Sequence, residues 1–229
     1  MSVLTRDQKL SSAFDRPVVL ALPKGRILRE CGPLLARAGI HPEPDYADED
    51  SRHMRFPTDH PDLDVIRVRS FDVATFVAFG AAEIGICGSD VLMEFDYPEI
   101  YAPLDLGIGG CRVSVAEPQD HAGKTDFSRL SRVRVASKYP NITKKHFATR
   151  GIQAEIVALN GAMELAPGLG LSRLIVDLVA TGSTLRANDL VETEVIAQVT
   201  SRLIVNRTAL KTRPEAIKIW IDRFREALA

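Results

Sequence analysis

Three times along this chain an apolar run ends in a small polar turn and passes into helical spacing. That alternation limits the fold more than any other feature. Pro17-Val18-Val19-Leu20-Ala21-Leu22 is followed by Pro23-Lys24-Gly25-Arg26, then by Ile27, Leu28, Leu34, Leu35 and Ala38 at helical intervals, with Gly39 closing the run. Glu83-Ile84-Gly85-Ile86-Cys87 leads through Gly88-Ser89-Asp90 into a helix expected from Val91 through Phe95. Leu174-Ile175-Val176-Asp177-Leu178 leads through Ala180-Thr181-Gly182 into a helix expected from Ser183. Further strands are read at Asp64–Val68, Tyr101–Leu106, Cys111–Ala116, Val133–Ala136 and Ile152–Leu159. Helices are read at Phe71–Phe79, Pro140–Arg150 and from Pro214 onward, and Thr193–Asn206 reads as strand-rich. His41–His60 reads as loop with an edge strand near His53–Phe56. Such alternation implies an α/β fold with mainly parallel sheets, in which ligands sit in the loops leaving the carboxyl ends of strands.

The 229 residues, 45% hydrophobic and 26% charged, suffice for one large domain or two lobes. A formal net charge of −1 supplies no general field for nucleic acid or an anionic membrane, although local cations are enough for phosphate chemistry. Cys31, Cys87 and Cys111 are scattered without a C-x-x-C pair, so structural zinc is not expected and a reducing cytoplasm is. Met1–Arg16 lacks the apolar core of a signal peptide, and no apolar run approaches the ~20 residues of a membrane span. Neither a G-x-x-x-x-G-K-[ST] loop nor a G-x-S-x-G elbow occurs, and no G-x-G-x-x-G opens a helix.

The three turns carry the chemistry. In the third, an apolar strand delivers Asp177 and then Thr181, Gly182, Ser183 and Thr184 at a helix start. Unpaired N–H groups and a partial positive charge there suit a phosphate monoester, though the same residues also make an ordinary capped turn. In the first, Lys24 and Arg26 flank Gly25, as a phosphate grip or as two solvated cations. In the second, Ser89 and Asp90 suit either a cap or a ligand contact. Taken locally, Arg52 and Arg55 read as surface arginines.

Leu159-Asn160-Gly161-Ala162-Met163-Glu164-Leu165-Ala166-Pro167, with Leu174-Ile175-Val176-Asp177 and Ala180-Thr181-Gly182-Ser183-Thr184-Leu185-Arg186-Ala187-Asn188, resembles the phosphoribosyl pyrophosphate (PRPP) region of ATP phosphoribosyltransferases. Four other segments agree in order: Leu22 to Ile27; Arg69 to Val73 with Ile84 to Val91; Leu104 to Ile108 with Cys111-Arg112; and Ala136 to Thr143. The resemblance implies two α/β lobes like a type II periplasmic binding protein, with the chain crossing between lobes twice. The lobes are expected at 1–107 plus 188–229 and at 108–187. One departure is Arg173, where family members usually carry an acid.

The implied reaction moves the phosphoribosyl group of PRPP to N1 of ATP, releasing pyrophosphate, as the first step of histidine biosynthesis. N1 is already a lone-pair nucleophile, so no strong general base is required. By resemblance, Arg26 and Arg52 neutralise the departing pyrophosphate with Mg²⁺ carried on the diphosphate and no direct protein ligand. Glu164 and Asp177 hold ribose hydroxyls, and Ala180, Thr181, Gly182, Ser183, Thr184 and Leu185 cradle the 5-phosphate. Lys24, Gly25, Ser89 and Asp90 face ATP. The short form, which this chain resembles, works as a homodimer within a hetero-oligomer, beside a regulatory subunit related to histidyl-tRNA synthetase. Two alternatives stand beside this reading. Other PRPP-dependent transferases place two acids before such a turn, whereas Leu178 follows Asp177 here. A non-enzymatic binding protein would share the two-lobe fold.

Overall fold

A computed structural model describes residues 16–48, 50–124 and 131–229. In chain order the elements are β1 (Val18–Pro23), α1 (Arg26–Arg37), β2 (Arg55–Pro57), β3 (Leu63–Val68), α2 (Ser70–Ala78), β4 (Ile84–Gly88), α3 (Ser89–Phe95) and β5 (Ile100–Asp105). Then come β6 (Cys111–Pro118), β7 (Arg132–Ser137), α4 (Pro140–Ala148), β8 (Gln153–Ala158), α5 (Leu165–Gly168), β9 (Leu174–Val179) and α6 (Ser183–Ala187). The chain ends with β10 (Leu190–Val199), β11 (Ser201–Asn206), α7 (Arg207–Thr212) and α8 (Pro214–Leu228).

These elements form two units. The first holds the described residues up to Leu92, then Tyr97–Gly109 and Ser201–Ala229; the second holds Met93–Asp96 and Gly110–Thr200. The first has a sheet of order β2-β3-β1-β4-β11-β5, with β1 parallel to β3 and β4. β1 is buried along its whole length because both faces are covered, as expected of a central parallel strand. Val18, Leu20 and Leu22 point into one core with Leu34 and Leu35 of α1 and Trp220 and Phe224 of α8. Val19 and Ala21 point into another with Val73, Ala74 and Val77 of α2. The period of two along the strand thus assigns each helix its face.

One buried carboxylate fastens the start of this sheet. Glu83 is 2% exposed, accepts from the Val19 N–H at 2.8 Å, and pairs with Arg16 at 2.7 Å and Arg213 at 3.3 Å. The sheet's last strand runs straight into α7, which the sequence reading did not anticipate. Asn206 caps it by accepting from the Ala209 N–H at 2.8 Å, while its amide donates to Val77 O at 2.8 Å.

The second unit has a sheet of order β10-β6-β9-β7-β8. β9 runs parallel to β7 and antiparallel to β6, and β10 pairs antiparallel with β6 from Leu190↔Pro118 to Val199↔Cys111. This pairing corrects the boundary expected at 188. Residues 188–200 belong with 110–187, and the return to the first sheet occurs at Ser201. The helix after the Gly88-Ser89-Asp90 turn also begins earlier than expected: α3 starts at Ser89, so Asp90 lies in its first turn rather than in a loop. No described helix is long and apolar enough to cross a membrane.

Candidate active site

The turn after β9 is built from strand register and one glycine. β9 is buried at Leu174, Ile175 and Val176 and brings Asp177 to its carboxyl end, half-buried, with one carboxylate oxygen accepting from the Leu178 N–H at 2.8 Å. Gly182 then adopts φ 72° and ψ 9°, a left-handed conformation that side-chain-bearing residues rarely enter, and α6 begins at once. Thr181, Ser183 and Thr184 stay exposed. The Thr181 and Ser183 hydroxyls lie 3.0 Å apart, so they form a local pair at the mouth of the turn. Leu185 differs from its neighbours: its side chain is 6% exposed and packs in a core with Val179, Met163 and Ala166, so only its backbone is available to a ligand.

That same core brings Glu164 into the region. Met163 and Ala166 are anchored beside Leu185 and Val179, and Glu164 stands between them, half-buried, at the start of α5. Glu164 lines a cavity of about 990 Å³ together with Gln119, His121, Leu169 and Asn188. The residues from Asp177 through Leu185 are outside that lining, so the cavity belongs to the Glu164 side.

A charged pair stands behind the turn. The Arg112 guanidinium forks onto Glu192 of β10, and Ser114 donates to the same carboxylate at 2.7 Å. Hydrogen bonding from Arg112, then from Ser114, holds the Glu192 carboxyl below its ordinary 4.5. A depressed carboxylate stabilises the fold above its unfolded value. That contribution is lost as pH falls through the folded value, so the pair is intact at neutral pH. Sequence reading met Arg112 only as part of a family-like segment and missed Glu192 and the pairing, since residues 80 apart carry no local signal.

In the first unit, Gly25 precedes α1 with φ 88° and ψ −143°, a conformation close to glycine-only backbone. Lys24 is exposed, with its N–H tied to Val68 O at 2.8 Å. Arg26, the first residue of α1, has a half-exposed side chain, loosely placed at 3.6 Å from Glu30 and 3.5 Å from Gly109 O. Ser89 is half-buried, whereas Asp90 is 4% exposed and lies near the buried Cys87 thiol. Of those two, Ser89 is the more exposed. Burial pushes the Cys31 thiol up to about 12 and Cys87 further, which removes both as thiolate nucleophiles.

Arg52 is exposed in the segment before β2. What precedes it is ordered by groups the sequence reading did not single out. Arg67 of β3 is 1% exposed and donates to Tyr46 O and Asp48 O at 2.8 Å each and to Ser51 O at 3.3 Å. Ser51 and His53 both reach Asp45, at 2.8 and 2.9 Å, and these hydrogen bonds hold its carboxyl below the usual range. Arg55 pairs with Asp64 at 2.6 Å, a strand contact.

Chemically, one unit offers a turn of N–H groups and hydroxyls after a strand that carries Asp177, with Glu164 on a neighbouring segment, and the other offers cations on a strand–helix turn. Among the described residues no group of three His, Cys, Asp or Glu side chains could hold a metal ion.

Residues 69–226 match the family described as HisG: ATP phosphoribosyltransferase. The ATP phosphoribosyltransferase of Paramagnetospirillum magneticum is 68% identical over 92% of this chain and 96% of its own length. That of Gluconobacter oxydans is 67% identical over 96% and 90%. Among solved structures, a chain of the ATP phosphoribosyl transferase (HisG:HisZ) complex from Thermotoga maritima superimposes with a TM-score of 0.77 at 30% identity, covering 92% of this chain and 98% of that one. A periplasmic sulfonate-binding protein from Methylobacillus flagellatus gives a TM-score of 0.56 at 12% identity, covering 93% of this chain and 68% of that one, a likeness of fold alone. The fold is therefore the two-lobed type II periplasmic-binding-protein kind.

Proposed function

Because the chain belongs to the ATP phosphoribosyltransferase family, we propose how its residues share out that family's reaction, the transfer of a phosphoribosyl group from PRPP to N1 of ATP with loss of pyrophosphate. The observation that carries the proposal is the turn after β9, with left-handed Gly182 among three exposed hydroxyl side chains. The N–H groups of Thr181 to Leu185 and the hydroxyls of Thr181, Ser183 and Thr184 bind the 5-phosphate. Asp177 and Glu164 accept from the ribose hydroxyls. Arg26 and Arg52 draw charge from the diphosphate as it leaves, and Lys24, Gly25 and Ser89 serve the ATP side, with Asp90 behind them.

No base is assigned, since N1 attacks through its own lone pair. Rate enhancement then rests on holding two large anions in register and on charge neutralisation. Mg²⁺ carried on the substrate diphosphate would lower its charge, and Asp177 would hold it through water. A regulatory subunit of the HisZ kind is the proposed partner, supported by the likeness to a chain solved in a HisG:HisZ complex.

The direct test follows phosphoribosyl-ATP by absorbance from ATP, PRPP and Mg²⁺, with and without such a subunit. Absence of product in both would remove the reading, and nucleobase acceptors in place of ATP would reveal a different transferase. A second expected result concerns Thr184→Val, which deletes one hydroxyl from the exposed turn. PRPP binding weakens about tenfold, the usual scale for one hydrogen bond to a charged group. Calorimetry checks it, and an unchanged dissociation constant takes Thr184 out of the site.

A further inference from the structure

Two carbonyl groups open the turn after β9, those of Ala180 and Thr181, and an arginine draws each of them aside. Arg112 donates from Nη1 to Ala180 O at 3.1 Å, and Arg186 from Nη1 to Thr181 O at 3.2 Å. The peptide bonds here are trans. A trans peptide is planar, with the carbonyl and the next residue's N–H on opposite sides. Pinning the Ala180 oxygen therefore points the Thr181 N–H the other way. Pinning the Thr181 oxygen does the same for Gly182. An anion is repelled by a carbonyl oxygen and bound by an N–H, so the orientation of these two planes decides whether the turn attracts phosphate.

Both arginines are placed for this by the fold. Arg112 faces Val179 across the β6–β9 ladder, so its reach to Ala180, one residue on, is set by register. Its guanidinium is locked from the other side by Glu192, whose carboxylate Ser114 steadies at 2.7 Å. Arg186 lies over Gly182, where a Cβ atom would come within 3.2 Å of its Nη1. Gly182 thus supplies the left-handed turn and also the room for the arginine that fixes it.

We propose that Arg112, locked by Glu192, and Arg186 are positioning residues that turn the Ala180 and Thr181 carbonyls away from the sugar phosphate and so aim the N–H groups at it. This rests on the reading of the turn as the 5-phosphate site. It extends that reading to residues that need not touch substrate.

The test uses the full chain carrying Arg112→Met/Glu192→Gln, a pair chosen so that no charge is left unpartnered. A separate Arg186→Met variant accompanies it, and melting curves establish that each is folded. Calorimetry measures Mg²⁺·PRPP, ribose 5-phosphate and ATP. The double variant binds PRPP and ribose 5-phosphate about tenfold more weakly, the scale of one charge-assisted contact, with ATP unchanged. KM for PRPP rises in step while kcat at saturation stays within about twofold, as when ground state and transition state lose binding equally. Wild-type affinity for ribose 5-phosphate in the folded double variant overturns the proposal, as does an equal loss for ATP. Thr184→Val, run alongside, separates the two levels. If it weakens PRPP and the arginine variants do not, only the positioning role falls. If neither it nor they do, the turn is not the phosphate site and the proposal falls with its premise.

Discussion

Arg26→Ala lowers kcat about 10²-fold or more, with much smaller changes in the binding of ATP and PRPP. The expectation follows from how weakly the fold itself uses this side chain. Its contacts to Glu30 and Gly109 are 3.6 and 3.5 Å long, well beyond the ~2.7–2.9 Å of a tight charge-assisted bond. Half of the side chain is exposed, and an exposed pair of this kind contributes about 0–1 kcal/mol to stability. Removing it should therefore leave the melting temperature almost unchanged. The chemistry has no such tolerance. A hundredfold loss corresponds to about 2.7 kcal/mol of transition-state stabilisation, the scale of one group that meets charge only as it develops. Gly109 and Glu30 give the control: Glu30 also accepts the Gly109 N–H at 2.7 Å, so Glu30→Gln perturbs the neighbourhood without removing the cation. If Arg26→Ala turns over at nearly the wild-type rate in the absorbance assay, Arg26 has no part in the mechanism.

What the sequence discloses and what it hides divide along the range of the interaction. The strand–turn–helix units were legible because each is local: apolar Val18 to Leu22, Ile84 to Cys87 and Leu174 to Val176 are buried strands, each followed by a helix. The small polar turn before Ser183 was legible for the same reason, whereas the left-handed backbone of Gly182 is seen only in the structure. The passage from β10 to β11 was not, because Val199-Thr200-Ser201 has no glycine or proline, and a polar strand such as Glu192 to Gln198 gives no sign of which sheet it joins. Asp90 illustrates another limit. A carboxylate after a glycine-serine turn reads as a cap or a ligand contact, yet α3 starts two residues earlier than the apolar spacing suggests and turns Asp90 inward. Arg67 is the clearest case. In Leu63-Asp64-Val65-Ile66-Arg67-Val68 the alternation places it on the same inward face as Leu63 and Val65, a position that an arginine normally avoids. The distant carbonyls of Tyr46, Asp48 and Ser51, with the Phe56 ring under the guanidinium, explain why it can be there.

Arg67→Met accordingly has two effects. Methionine can fill the space and rest against Phe56, over which the guanidinium now stands at 5.1 Å. It cannot donate, so three backbone carbonyls lose their partner. Buried charged hydrogen bonds are worth about 1.5–3 kcal/mol each when lost, but these carbonyls lie near the surface and regain water. A net destabilisation of about 3 kcal/mol is expected, read as a melting temperature lower by about 5–10 °C. The second effect is on rate. Ser51, the last carbonyl held, immediately precedes Arg52. Freeing that segment displaces the proposed pyrophosphate cation, and an ångström of misplacement costs up to about 10²-fold in rate. A loss of about tenfold in kcat is expected at temperatures far below the melting transition. Arg67→Lys keeps the charge but not the fork that spans several carbonyls, and should not restore it. The decisive comparison is the double variant Arg52→Ala/Arg67→Met. If Arg67 acts through Arg52, the double variant is no slower than Arg52→Ala alone, because there is no longer a cation to misplace. Losses that simply multiply would mean that the buried arginine supports catalysis by some other route, and that Arg52 does not depend on the segment Arg67 holds.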